Sequence, residues 1–183
     1  SMIKHEPAMT AGGQTRPRSA SVAWIEALAA TASIGQDPHQ LLSHIIGGLA
    51  ETRSQMPALL SDRECFSFGE LATRIERYAR WAAFNKIMAG NRVALLMPNR
   101  PEYVAAWLGL TRMGVVVALI NTNLTGRSLA HCLDLAKPSH IIVEASLTGQ
   151  LASAIAELDG TWTAKVWCHG ESSAGFDRID LAL

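Results

Sequence analysis

The sequence predicts an α/β fold of three layers, a mostly parallel sheet with helices on both faces, preceded by a small β-hairpin and N-terminal helices. Three observations predict it. Residues 93–97, 115–120 and 141–143 are continuous apolar runs, the pattern of strands covered on both faces. Between and after them lie segments whose apolar residues recur at helical spacing. The connections are short, so strand, helix and strand form repeated βαβ units. The length of 183 residues, with 49% hydrophobic and 17% charged, suits one domain with a substantial core and excludes intrinsic disorder. No stretch approaches the run of about 18 apolar residues that a membrane-spanning helix needs. Sixteen basic residues balance sixteen acidic ones without a Lys/Arg cluster, so nothing resembles a nucleic-acid footprint.

The elements follow in order. Ser1 ahead of Met2 has the form of a tag remnant, and the Gly- and Pro-containing stretch to residue 20 reads as a mobile arm. Arg16, Arg18 and the Ala-rich run 20–32 imitate a secretory leader. Glu26 interrupts that run, and Trp24, Ile25, Leu28 and Ala32 recur at helical spacing. An amphipathic helix is therefore preferred, with secretion the lesser alternative. Asp37 as N-cap, Pro38 at the first helical position and Gln40 predict a helix to about Arg53. Residues 57–61 and 65–67, around Asp62-Arg63-Glu64, predict the hairpin.

Ser67 and Glu70 form a capping-box pattern for the next helix, expected to run to about Met88. Glu70 with Arg74, and Glu76 with Arg80, are spaced as i,i+4 pairs, so the charged stripe reads as a solvated face. After the strand at 93–97, helices are expected at 102–113, 128–136 and 147–158. A further strand is expected at 163–168.

In parallel sheets ligands collect at the carboxyl ends of the strands. Two polar loops belong there. Asn99 and Arg100 follow the first strand, and Asn121, Thr122 and Asn123 follow the second. These five are the candidate cleft wall; turn formation and helix capping are the competing explanation. The nucleotide motifs G-x-G-x-x-G and G-x-x-x-x-G-K-[ST] do not occur, nor does G-x-S-x-G. His131 and Cys132 are adjacent on a predicted helix and so point apart. Tyr103, Trp107 and Leu110 could line a fatty cavity, although such a stripe is usually core. Three cysteines without a C-x-x-C pair argue against disulfides or zinc and for a reducing cytoplasm. The six histidines show no metal-ligand spacing, and no catalytic or metal residue is assigned.

Residues 93–123, VALLMPNRPEYVAAWLGLTRMGVVVALINTN, resemble the N-terminal region of AMP-forming acyl-CoA synthetases, specifically the long-chain and very-long-chain fatty acid ligase branch that includes the fatty acid transport proteins. Residues 57–81, PALLSDRECFSFGELATRIERYARW, and 124–143, LTGRSLAHCLDLAKPSHIIV, are similar to the flanking elements of that family. The resemblance implies a subdomain over 21–168 and a truncated tail over 169–183. For the full-length parent it implies a fatty acid activated by ATP and magnesium to an acyl-adenylate, then transferred to CoA. The family's T-S-G-T-T-G-x-P-K loop, its aromatic-Gly-x-Thr-Glu motif, its ribose-holding Asp and its C-terminal Lys are not found in these 183 residues. No cofactor is therefore expected in this chain. A shortened family member should expose apolar surface or a strand edge and self-associate, and peripheral membrane contact from the cytoplasm fits the branch. Two other functions compete: a non-catalytic fatty-acid-binding or assembly module, and a flavodoxin-like nucleotide binder.

Overall fold

The computed structural model describes residues 38–183. The expected arm, the helix over 20–32 and the Asp37 cap lie outside the described residues. Helix α1 is Pro38–Arg53. Strands β1, Pro57–Leu60, and β2, Cys65–Ser67, form the predicted antiparallel hairpin.

Helix α2, Phe68–Phe84, starts on the expected capping box: the Glu70 N–H donates to Ser67 Oγ at 3.2 Å, and the Ser67 N–H donates to Glu70 Oε2 at 2.8 Å. It stops short of the expected Met88. Lys86 takes a left-handed φ of 56°, and Asn85 Nδ2 donates to the Trp81 carbonyl at 2.9 Å, closing the last turn without a glycine. Ile87 then plugs into the core.

The main sheet comes from β3 (Arg92–Leu96), β4 (Val116–Leu119), β5 (His140–Glu144), β6 (Lys165–His169) and β7 (Asp177–Arg178). Its order is β4-β3-β5-β6-β7, and every pair is parallel. Helix α3 (Pro101–Arg112) joins β3 to β4, and α4 (Gly126–Ala136) joins β4 to β5. A 3-10 turn, Ala145–Leu147, and α5, Thr148–Ile155, replace the single longer helix expected over 147–158. Helix α6 is Ile179–Ala182. Residues 169–183, set apart in the sequence as a tail, thus supply β7 and α6, and Ile179 is fully buried.

The pleat sorts the apolar runs into two cores. Val93, Leu95, Met97 and Ile142 face α1, α2 and α3, whereas Ala94, Leu96, Ile141, Val143 and Cys168 face α4 and α5. This explains why the runs are continuous: each strand needs apolar side chains on both faces. One run departs from the expectation of full cover. Strand β4 lies at the sheet edge, paired only with β3, and Val116 and Leu119 are about half exposed.

Candidate functional site

The chain passes from β3 outward to β4, then crosses back to β5 on the other side of β3. Helices α3 and α4 consequently leave toward opposite faces. Their divergence opens a crevice at the carboxyl ends of β3 and β5, the switch point where ligands bind in open α/β sheets. That crevice has a volume of about 730 Å³ and is walled by Pro98 and Arg100 after β3, Glu144 and Ser146 after β5, and the hairpin turn Ser61 to Glu64. A second cleft of about 620 Å³ lies between β2, the start of α2 and the end of β6, with Arg74, Arg77, Glu102 and His169 on its wall.

Between the clefts runs one polar network. Glu102, in the first turn of α3, is 1% exposed. Its Oε1 accepts from Arg74 Nη2 at 2.5 Å, from the Tyr78 hydroxyl at 2.6 Å and from His169 Nε2 at 3.1 Å, while Oε2 accepts from Arg74 Nε at 3.2 Å. Arg74 is thus drawn away from Glu70, its expected i,i+4 partner, which is occupied in the capping box. The stripe on α2 is not wholly a solvated face. Glu76 and Arg80 do pair, at 3.0 Å.

Arg100 continues the network. Its Nη2 lies 3.1 Å from His169 Nδ1, its Nη1 donates to Glu64 Oε2 at 3.2 Å, and its Nε sits 3.3 Å from Glu144 Oε1. Because a guanidinium only donates, His169 Nδ1 accepts, which leaves the ring hydrogen on Nε2 for Glu102. The chain Glu64–Arg100–His169–Glu102–Arg74 therefore ties the hairpin, the β3–α3 loop, β6, α3 and α2 together.

Burial by itself would raise the Glu102 carboxyl. The hydrogen bonds from His169, Arg74 and Tyr78 outweigh it and hold the group at about 2, against an ordinary 4.5. Burial, reinforced by the Glu102 charge, pushes the Tyr78 hydroxyl well above its usual 10. A carboxylate so acidic and so fully hydrogen-bonded is a poor proton acceptor at neutral pH. The arrangement is a clamp on the crevice wall. Since the folded-state value lies below the unfolded one, the stabilisation is complete above about pH 4.5 and drains away as pH falls toward 2. Urea denaturation across that window should register a loss of about 3 kcal/mol from this group.

The five sequence candidates separate. Arg100 lies in the network and lines the crevice. Asn99, its neighbour, is exposed. Asn121 to Asn123 lie on the far side of β3 from the crevice: Asn121 Oδ1 accepts the Asn123 N–H at 2.9 Å, and Gln150 Nε2 donates to the Thr122 carbonyl at 2.8 Å. These contacts turn the chain and anchor it to α5. Tyr103 and Trp107 pack against the α3 side of the core, where Leu110 is buried. Sequence reasoning missed Glu102, His169, Glu64 and Glu144. Among the described residues no three His, Cys, Asp or Glu side chains are grouped to hold a metal ion.

The AMP-binding enzyme family profile matches residues 49–174, more than half of the chain and all of the crevice walls. The chain belongs to the AMP-binding enzyme family. Within it, the chain is similar to long-chain fatty acid transport protein 6 of Mus musculus, 32% identical over 140 residues that cover 74% of this chain and 22% of that protein. It is also similar to the long-chain-fatty-acid–CoA ligase of Salmonella typhimurium, 29% identical over 125 residues covering 68% of this chain and 22% of that one. A benzoate CoA ligase from Burkholderia xenovorans shares the fold, with a TM-score of 0.67 at 22% identity over 76% of this chain and 27% of that one. The chain spans only about a fifth of the length of the relatives it matches.

The crevice does not fit the nucleotide that the family name implies. Asp62, Glu64 and Glu144 face Arg63 and Arg100, and Arg100 is already engaged by two of these carboxylates. A triphosphate placed there would meet more negative charge than positive.

Proposed function

We propose that this chain is the amino-terminal portion of a fatty acid–CoA ligase and that it serves as scaffold, carrying none of the reacting groups. In that enzyme a fatty acid, ATP with magnesium, and CoA would yield acyl-CoA through an acyl-adenylate, with the phosphate-binding loop and the catalytic lysine supplied by other parts of the protein. The observation that carries the reading is the engagement of Glu102: four hydrogen bonds, from Arg74, Tyr78 and His169, tie it between elements and hold it ionised, so it fastens the fold and is a poor proton acceptor. The kinship with fatty acid transport proteins and a long-chain-fatty-acid–CoA ligase supports a fatty acyl substrate. Residues 21–168 would form the body of the subdomain, which β7 and α6 complete. The half-exposed apolar edge of β4 supports self-association when the chain is studied alone. Cytoplasmic placement with peripheral contact to a membrane completes the proposal; among the described residues no helix is long and apolar enough to cross one.

The test is fatty-acid-dependent exchange of labelled pyrophosphate into ATP by the purified chain. Groups that stabilise a transition state as a unit leave little behind when removed together, so exchange at background is expected across acyl lengths. Turnover dependent on fatty acid would refute the scaffold role. Saturable fatty acid binding without exchange would favour a lipid-binding module instead.

A further inference from the structure

The two clefts are divided by a contact that depends on a proton. The cleft of about 620 Å³ has His169 and Glu64 on its wall, and the crevice of about 730 Å³ has Arg100 and Glu64 on its own. The 3.1 Å contact between Arg100 Nη2 and His169 Nδ1 therefore stands between them. With the ring hydrogen on Nε2 and directed at Glu102, the Nδ1 lone pair is what accepts from Arg100. That pairing exists only for a neutral imidazole. A second proton must go to Nδ1, where it faces a guanidinium N–H across the same gap: two donors, both positively charged, with no acceptor between them. The His169 side chain is 15% exposed, so solvent can deliver that proton.

Charges reach His169 from every element packed around it. Helix α2 brings Arg74 and the Tyr78 hydroxyl, α3 brings Glu102, the β3–α3 loop Arg100 and the hairpin Glu64; Glu144 ends β5. Asp180 of α6, paired with Arg178, accepts from the Gly170 N–H next to it in the chain. Glu102 takes the Nε2 hydrogen in either charge state, so it keeps the ring in place. Arg100 is the partner that gives way, and a second position is prepared for it. Its buried Nε lies 3.3 Å from Glu144 Oε1 without an aligned hydrogen bond, and a small shift into the crevice completes that bond. Because the guanidinium is planar and rigid, moving Nη2 off His169 also moves Nη1 off Glu64, now at 3.2 Å. Glu64 carries the hairpin tip, a turn closed on itself by the Ser61 N–H donating to the Glu64 carbonyl at 2.7 Å and the Glu64 N–H to Ser61 Oγ at 3.0 Å.

We propose that His169 is a pH-sensitive latch: neutral, it holds Arg100 between the two clefts; protonated, it releases Arg100 toward Glu144, frees the hairpin tip and opens the partition. Imidazole is the side chain whose charge ordinarily changes between about pH 5 and 8. Glu102, held at about 2, stays ionised throughout that range, so the latch is separate from the acid loss of stability and adds one moving part to an otherwise fixed clamp. It stands independently of the ligase reading, because an active and an inert chain make the same contact.

Two measurements on the whole chain test it. Long-range proton–nitrogen NMR spectra read the imidazole directly, and at about pH 7.5 should show His169 with hydrogen on Nε2 and a bare Nδ1. Amide hydrogen exchange reads the tip. Between about pH 7.5 and 5.5, after correction for the intrinsic pH dependence, residues 61–65 should exchange roughly threefold to tenfold faster while α4 stays constant. His169→Gln keeps an acceptor and a donor but does not titrate, and should abolish the change. Arg100→Gln should leave the tip fast at both pH values. His131→Gln, at an exposed position on α4, should leave the response intact. A hydrogen on Nδ1 at neutral pH, a tip indifferent to pH, or a response that survives His169→Gln would overturn the proposal. Should His169→Gln not fold, a pH response persisting in Arg100→Gln overturns it equally, since the latch has no action without the guanidinium.

Discussion

Replacing Glu102 with Ala is expected to destabilise the protein by about 3–5 kcal/mol, the range seen when one member of a buried charged cluster is removed and the others are left behind. The loss comes less from the missing hydrogen bonds than from what remains. Arg74 keeps a positive charge in a partly buried place, the Tyr78 hydroxyl is enclosed without an acceptor, and His169 Nε2 has nothing to donate to. Against a typical total of 5–15 kcal/mol for a domain, such a loss brings the protein close to unfolding at ordinary temperature. A milder pair therefore accompanies it. Tyr78→Phe removes one donor and should cost about 1 kcal/mol, and combined with Glu102→Gln in a double-mutant cycle it should show coupling of about 1 kcal/mol or more in urea denaturation. Additive effects would mean that the hydroxyl and the carboxylate do not work as a unit.

The second large effect is expected at Gly109, where α3 crosses α2. A Cβ built there would lie 2.6 Å from both the Ile75 carbonyl oxygen and Tyr78 Cβ, and 3.2 Å from the Ala79 nitrogen. Two of these three atoms belong to the backbone of α2, so no side-chain rotation relieves the clash. The helices must separate. Gly109→Ala should cost about 2–3 kcal/mol net, although alanine is by itself favoured over glycine in a helix by about 1 kcal/mol. Because Tyr78 is one of the atoms displaced, its hydrogen bond to Glu102 should weaken as well. Gly48→Ala is the internal comparison. With no atom within 4 Å of its added Cβ, this exposed helical position should gain stability from the same chemical change. Opposite signs in one denaturation assay would establish close approach, rather than glycine content, as the reason for Gly109.

These two sites show where the sequence was informative. Continuous apolar runs located β3 and β5, because a parallel strand buried on both faces needs apolar residues at successive positions. The same signal misjudged β4, which lies at an edge; a run of apolar residues does not reveal how many neighbours a strand has. Strand β7 and α6 are too short to show any period, and their place depends on pairing with β6. Helix α2 ends at a left-handed lysine, where neither glycine nor proline announces a stop. Arg100 stood out because its loop follows a strand. Glu102 did not, since a carboxylate in the first turn of a helix is ordinary on grounds of the helix dipole alone. Its partners lie 24, 28 and 67 residues away, and no local spacing rule connects them. Asn121 to Asn123 suit a cleft or a turn equally by residue type; the contacts they make are a turn within the loop and a hydrogen bond from Gln150 of α5 to the Thr122 carbonyl.

The clamp makes one demand that can be observed at a single atom. If Glu102 is an ionised tie between helices and sheet, its side-chain carboxyl carbon, followed by NMR in protein labelled with 13C at glutamate, should titrate near 2, with the other glutamates serving as the reference in the same spectra. Its transition should coincide with the acid loss of stability. A titration at or above 4.5 would mean that Glu102 exchanges its proton within reach of physiological conditions, and would contradict the reading of this network as scaffold in favour of a working acid or base.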